Sequence, residues 1–161
     1  MARGRAGGTP ATAALIAAGV PFTLHTYDHA ARHSDYGREA AAALGVDGRR
    51  LFKTLVVSAG DHLAVAVVPV AGMLDLKALA AALGVKKTEL ADPVAAQRSS
   101  GYVVGGISPL GQRTPLATVV DASALDHDAI LVSAGRRGLQ VELAPADLAA
   151  VTRARFAAVA R

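Results

Sequence analysis

The chain predicts an α/β or α+β domain around a partly closed mixed sheet. Three observations carry this expectation. Strand-like apolar runs recur along the chain, and helix signatures with Pro or Asp starts and glycine ends fall between them. Two of the apolar runs, Leu51–Ser58 and His62–Val70, also face each other across the turn Ala59-Gly60-Asp61. Strands interspersed with helices bury their apolar faces by packing helices on a mixed sheet. With 161 residues, 52% hydrophobic and 19% charged, the chain is long and apolar enough for one globular core. Residues 1–8, basic and small, read as a flexible tail, and 9–161 as a single domain.

The elements follow in order. Thr9-Pro10 opens a helix that closes at Gly19, with a capping Thr, a proline at the first helical position and a terminal glycine. Phe22 to Asp28 reads as a strand, with His25 and Tyr27 on one face. A short helix spans about Asp35 to Leu44. The hairpin comes next, apolar on both faces and therefore central. Asp75 to Leu83 is a helix whose Leu76, Leu79, Ala80 and Leu83 share a face. Val85 to Leu90 is a short strand, and Asp92-Pro93 opens a helix ending at Gly101. Strands are expected near Leu116–Val120, Ala129–Ser133 and Leu139–Leu143, the last two flanking Ala134-Gly-Arg-Arg-Gly138. Pro145 starts a final helix, and Phe156–Val159 adds an edge strand.

Composition narrows the function. The absence of cysteine removes disulfides, thiolate metal sites and cysteine nucleophiles. No apolar run is long enough to span a membrane, and no secretory segment follows the basic start, so the expected location is cytoplasmic. The net charge of +4 suits a polyanionic partner without demanding one.

The most distinctive stretch is Gly101-Tyr-Val-Val-Gly-Gly-Ile-Ser-Pro-Leu-Gly111. Its glycines allow close approach to the backbone, and successive exposed N–H groups in such a loop suit an anion or oxyanion. It has the glycine spacing of a phosphate-binding P-loop, but Gln112-Arg113 replaces the required Lys-Ser/Thr. A nucleophile elbow also fails. Its second glycine is one residue late, and Pro109, after Ser108, has no N–H for an oxyanion. Ser108 is a poor nucleophile, and a plain structural turn stays open.

Lys53 alternates with Leu51, Leu55 and Val57, so it shares a strand face with aliphatic side chains. Such a lysine is either an anchoring or tuned cation, or a strand-end lysine snorkelling to solvent. His25, His29 and His33 recur every four residues, but on strand and loop that spacing does not align metal ligands, and no metal site is expected. Tyr27 is either a polar lip of a pocket or an ordinary half-buried tyrosine. Lys86, Lys87, Arg98, Arg113, Arg136 and Arg137 lie in or beside turns; brought together they form a phosphate-binding rim, and otherwise a solvated surface.

Taken together, several segments resemble the YbaK family of bacterial trans-editing proteins. They are His25-Thr-Tyr-Asp-His29, Phe52-Lys-Thr-Leu55, Gly84-Val-Lys-Lys87, Ala95-Ala-Gln97, Gly101 through Gln112, and Arg136-Arg-Gly-Leu139. The resemblance runs in order from about Thr9 to Val159. It implies a mixed, barrel-like sheet surrounded by helices, and deacylation of mischarged Cys-tRNA(Pro) with no metal or other cofactor. The family's lysine falls on Lys53, its glycine loop on Gly105, Gly106, Ile107, Ser108 and Pro109, its pocket tyrosine on Tyr27, and a small polar pocket residue on Ser133. The implied chemistry uses the loop's N–H groups for the oxyanion, Lys53 for the terminal adenosine or its phosphate, and the substrate's own thiol as nucleophile. Arg136 and Arg137 would meet the tRNA acceptor end, and prolyl-tRNA synthetase is the implied protein partner. Gln140 stands where some relatives carry an acid, so no catalytic carboxylate is assigned there. The alternatives are a deacylase of the same fold for another mischarged tRNA, such as Ala-tRNA(Pro), and a non-catalytic tRNA- or synthetase-binding module.

Overall fold

The hairpin is the centre of the larger sheet. In the computed structural model, which describes residues 8–29 and 35–161, strands β2 (Phe52–Ala59) and β3 (His62–Pro69) pair antiparallel from Phe52↔Pro69 to Ala59↔His62. Gly60, at φ +72°, makes the tight turn that a side chain would strain. β4 (Thr88–Leu90) pairs with the far end of β2, while β5 (Ala117–Asp121) runs parallel to β3 and β8 (Arg155–Ala157) parallel to β5. The order is β4-β2-β3-β5-β8. A second sheet, in the order β1-β7-β6, holds β1 (Thr23–Thr26), β6 (Ile130–Arg136) and β7 (Leu139–Leu143).

The expected barrel-like closure does not form: the architecture is a mixed α+β fold with two open sheets. They touch through a single parallel bridge, Leu51↔Leu131. Just beyond it β6 bulges between Ser133 and Arg136 in its pairing with β7, a feature that bends a strand.

The apolar pattern explains the layers. Phe52, Val65 and Val67 meet Ile130, Val132, Leu139 and Val141 between the sheets. Helices α1 (Pro10–Ala17) and α5 (Pro145–Thr152) close this core with Leu15 and Leu148, both fully buried. Each such leucine contributes about 1.5–3 kcal/mol of burial. The other face of the larger sheet packs on Leu79 of α3 (Leu76–Leu83). Helix α2 (Tyr36–Leu44) lays Ala40 on Leu51, Val70 and Leu131. Asp35, Asp75 and Asp92 cap α2, α3 and α4 (Pro93–Ser100), which end on left-handed Gly45, Gly84 and Gly101. No helix among the described residues is long and apolar enough to cross a membrane.

Several strands are shorter than the sequence suggests, among them β1, which spans only Thr23–Thr26, β4 and the last strand. The Val85 N–H closes the end of α3 on Ala80 O, so β4 starts only at Thr88. The last strand spans Arg155–Ala157, because the Val159 and Ala160 N–H groups both donate to Asp121 Oδ1, each at 2.9 Å. Asp121 also accepts from the Ser123 N–H and hydroxyl. Burial raises its pKa, but the hydrogen bonds from Ser123, Val159 and Ala160 outweigh burial, and the net shift is downward from 3.8. A depressed native pKa adds stability above the unfolded value, and this is lost as pH falls through the native value. Asp121→Asn replaces one acceptor oxygen with a donor and is expected to cost about 1.5–3 kcal/mol at neutral pH. Thermal melts of both proteins at pH 7 and near pH 3 check this, and the gap between them should shrink in acid.

Candidate active site

The cavity that matters opens where the larger sheet is interrupted. β6 reaches β2 only at Leu51, and β4 pairs with it only from Val57 to Ala59, with Ala91 N–H donating to Val56 O at 3.0 Å. Between these points β2 has no neighbour on that side. Antiparallel pairing alternates, and Val70 N–H donates to Leu51 O, so the odd-numbered residues bond to β3. The carbonyl of Phe52 and the N–H and carbonyl of Thr54 therefore face the gap. A cavity of about 540 Å³ fills it, bounded by Lys53 and Thr54 of β2, Leu90 and Ala96, the loop residues Gly105 and Ile107, Tyr36 of α2, and Ser133 and Gln140 of the smaller sheet.

The glycine loop is held by its own side chains. Tyr102, its hydroxyl pushed up to about 12 by burial, donates to Leu110 O at 2.6 Å. Val104 N–H donates to Gln97 Oε1, and Gly106 N–H to Val103 O. Ser108 is fully buried; its Oγ accepts from Leu110 N–H and its carbonyl from the Gln112 amide. The N–H groups of Gly105, Ile107 and Ser108 have no partner among the described residues. Of these, Gly105 and Ile107 line the cavity. Two residues of the wall thus carry uncommitted backbone donors, the kind of group that can hold an anion.

The glycines are there for contact. Gly105, at φ +90°, lies under the Tyr36 ring, which an added Cβ would meet at 2.7 Å. A Cβ on Gly106 would strike the Arg136 backbone, also at 2.7 Å. The loop is thus clamped between α2 and the β6–β7 turn. Arg137 completes the clamp, its guanidinium 4.8 Å above the Tyr36 ring centroid and its Nε donating to Val104 O at 2.9 Å.

Lys53 is half-buried beside the cavity. Its Nζ donates to Gly72 O at 3.3 Å, and no carboxylate lies within 4.0 Å of it among the described residues. Arg136, Arg98 and Arg113 are exposed, and Arg113 lies against Gly101 at the start of the loop.

The structure thus brings together Lys53, Gly105, Ile107 and Ser133, with Gly106 and Arg137 directly behind them. Other candidates lie elsewhere. Tyr27 does not line the cavity; it packs on the Ala40, Leu51, Val70 and Leu131 cluster and donates its N–H to Gly138 O. Pro109 faces a second cavity of about 460 Å³ at the far end of the loop, and Ser108 Oγ serves only the turn. His25 Nε2 lies 2.8 Å from Glu142 Oε1, which leaves Glu142 Oε2 to Arg50. His29 Nδ1 lies 2.7 Å from the buried Glu39. His33 lies outside the described residues. Among the polar cavity residues, Tyr36 drew no role from the sequence, Thr54 appeared only within the Phe52-Lys-Thr-Leu55 segment, and Gln140 only as a position where some relatives carry an acid.

Several known proteins are similar to this chain. A family model described as the aminoacyl-tRNA editing domain matches residues 33–151. The candidate Cys-tRNA(Pro)/Cys-tRNA(Cys) deacylase EbsC of Enterococcus faecalis is 38% identical over 141 residues, covering 87% of this chain and 85% of that protein. A solved structure of a candidate trans-editing enzyme for prolyl-tRNA synthetase shares the fold, with a TM-score of 0.83 at 24% identity over 94% of this chain and 95% of that one. The hypothetical protein APE2540 aligns with a TM-score of 0.80 at 26% identity, over 91% and 96%.

The clamp on the loop is open to test by a double-mutant cycle. Gly105→Ala should destabilise the protein by on the order of 1–3 kcal/mol, from the strained φ plus the collision with Tyr36. In a Tyr36→Ala background the cost should fall, because only the backbone strain remains. Urea unfolding of the four proteins measures the difference.

Proposed function

Because the chain belongs to the aminoacyl-tRNA editing domain family, we propose that it is a trans-editing deacylase that removes cysteine from mischarged Cys-tRNA(Pro). The observation that carries this reading is the cavity itself: Gly105 and Ile107, whose N–H groups have no partner among the described residues, share it with Lys53, a cation with no carboxylate partner among them. An aminoacyl ester is already activated. The protein has mainly to hold it and stabilise the oxyanion, and one such donor contributes about 10²–10³ in rate. Ser108 is fully buried and the chain has no cysteine, so neither provides a nucleophile at the cavity.

The nucleophile in this reading is the substrate's own thiol. Its sulfur attacks the ester carbonyl and the carbonyl oxygen takes the negative charge beside Gly105 and Ile107. Collapse then breaks the bond to the ribose 3′ oxygen, which receives the proton lost by the thiol. The products are free tRNA and a cysteine thiolactone that water opens. Lys53 adds positive charge beside the reacting centre and steadies the terminal nucleotide. Arg137, over the Tyr36 ring beside the glycine loop, and the exposed Arg136, Arg98 and Arg113 offer contacts to the phosphates of the unpaired acceptor end.

Deacylation of Cys-tRNA(Pro) by wild type and Lys53→Ala, with Ala-tRNA(Pro) in parallel, tests the proposal. Wild type is expected to strip the cysteinyl ester, and Lys53→Ala to lose about 10²-fold or more with an unchanged melting temperature. Survival of Cys-tRNA(Pro) in the presence of wild type defeats the cysteinyl reading, and loss of the alanyl ester alone shifts the substrate to alanine. Blocking the substrate thiol by S-methylation should leave the ester intact, which isolates the thiol's part.

A further inference from the structure

The wall of the cavity opposite the glycine loop carries polar groups that the reading above leaves unused. Among the described residues, three buried side-chain atoms lack a hydrogen-bond partner: Thr54 Oγ1, Ser99 Oγ and Gln140 Oε1. Two of the three belong to residues lining this one cavity. Native proteins rarely leave buried polar atoms unpaired, and each exception calls for a cause. Gln140 is only 5% exposed, and its Oε1 meets no partner among the described residues. Oε1 is itself occluded, but the amide oxygen and nitrogen are interchangeable by a simple flip, which presents the acceptor to the cavity. Thr54 Oγ1 is occluded as well and reaches the cavity when its side chain turns about the Cα–Cβ bond. Beside it stand the carbonyls of Phe52 and Thr54, which the alternation of β2 points into the gap.

The cavity therefore has two unlike walls. The loop and Lys53 supply donors and positive charge; β2 and Gln140 supply mainly neutral oxygen acceptors, with the Thr54 N–H the one strand donor among them. The carboxylate that lines the mouth, Asp35, already accepts from Arg38 N–H and pairs with the Arg38 guanidinium. A ligand that matches both walls has an acceptor that becomes an anion on one side and a multiple hydrogen-bond donor on the other.

We propose that Thr54 and Gln140, with the unpaired edge of β2, bind the α-ammonium group of the aminoacyl ester, so that the site demands a free amine. This rests on the deacylase reading and adds a specificity to it. An ammonium carries three donors, matching the hydroxyl, the amide oxygen and a strand carbonyl. A site built to hydrogen-bond a substrate N–H leaves buried acceptors unpaired when the group is blocked, and so rejects the blocked form.

The test compares Cys-tRNA(Pro) with N-acetyl-Cys-tRNA(Pro), whose thiol and ester are unchanged. Wild type should lose at least about 10²-fold in kcat/KM on acetylation. Gln140→Leu should lower kcat/KM for the free amine and shrink that ratio, while Gln140→Glu, which keeps an acceptor, should restore it; a merely structural role for Gln140 would not give this pattern. Thr54→Val is a second variant, expected to narrow the ratio with a smaller effect. Equal hydrolysis of the free and acetylated esters by wild type overturns the inference and leaves the deacylase standing. If neither ester is cleaved, the deacylase reading falls, and the inference is judged by binding of amide-linked Cys-tRNA(Pro). Tighter binding of the free amine sustains the inference; equal binding ends it.

Discussion

The rest of the site depends on a gap in strand pairing. β2 is held along one side by β3, but on the other side β6 and β4 each take only one end of it. Strand N–H and carbonyl groups without partners are costly when buried. The fold tolerates them here because the gap is a cavity, open to solvent or to a ligand. Had β6 continued along β2, the sheet would have closed and the cavity would have been filled by a ladder of hydrogen bonds.

Around the gap, each wall comes from a different element, and each is locked from behind. The glycine loop is braced by Tyr102, Gln97 and Gln112, and pressed between Tyr36 and the Arg136 backbone. Those contacts explain why two consecutive glycines are required: a Cβ on either would meet a different neighbour at less than ordinary van der Waals distance. Preorganisation of this kind matters for an oxyanion site, because donors already in place need no reorganisation as charge develops.

Much of this was legible in the chain. The capping aspartates at 35, 75 and 92, the glycine stops and the Gly60 turn all act within a few residues, and each formed as the local chemistry demands. Lys53 was conspicuous among aliphatic neighbours, and the loop by its glycines; both meet at the cavity. Tyr27 was misplaced because alternation along one strand gives a face, without saying what covers that face. Here α2 covers it, and Tyr36 of that helix reaches the cavity instead. Asp121 carried no recognisable motif, yet it ties the last strand down by two backbone N–H groups 38 and 39 residues away.

By itself, then, the sequence determined the kinds of element, the central hairpin, and the two segments, around Lys53 and the glycine loop, that meet at the cavity. These depend on propensities, caps and periodicities that operate over a turn or a strand. Only the tertiary structure decided that the sheets stay open, that Gly105 and Ile107 offer their N–H groups while Gly106 does not, and that Thr54 and Gln140 remain unsatisfied in one cavity. Those outcomes depend on which strand edges meet and how far each pairing runs. Contacts between residues some 80 positions apart, such as Leu51 and Leu131, set them, and no local pattern encodes such a contact.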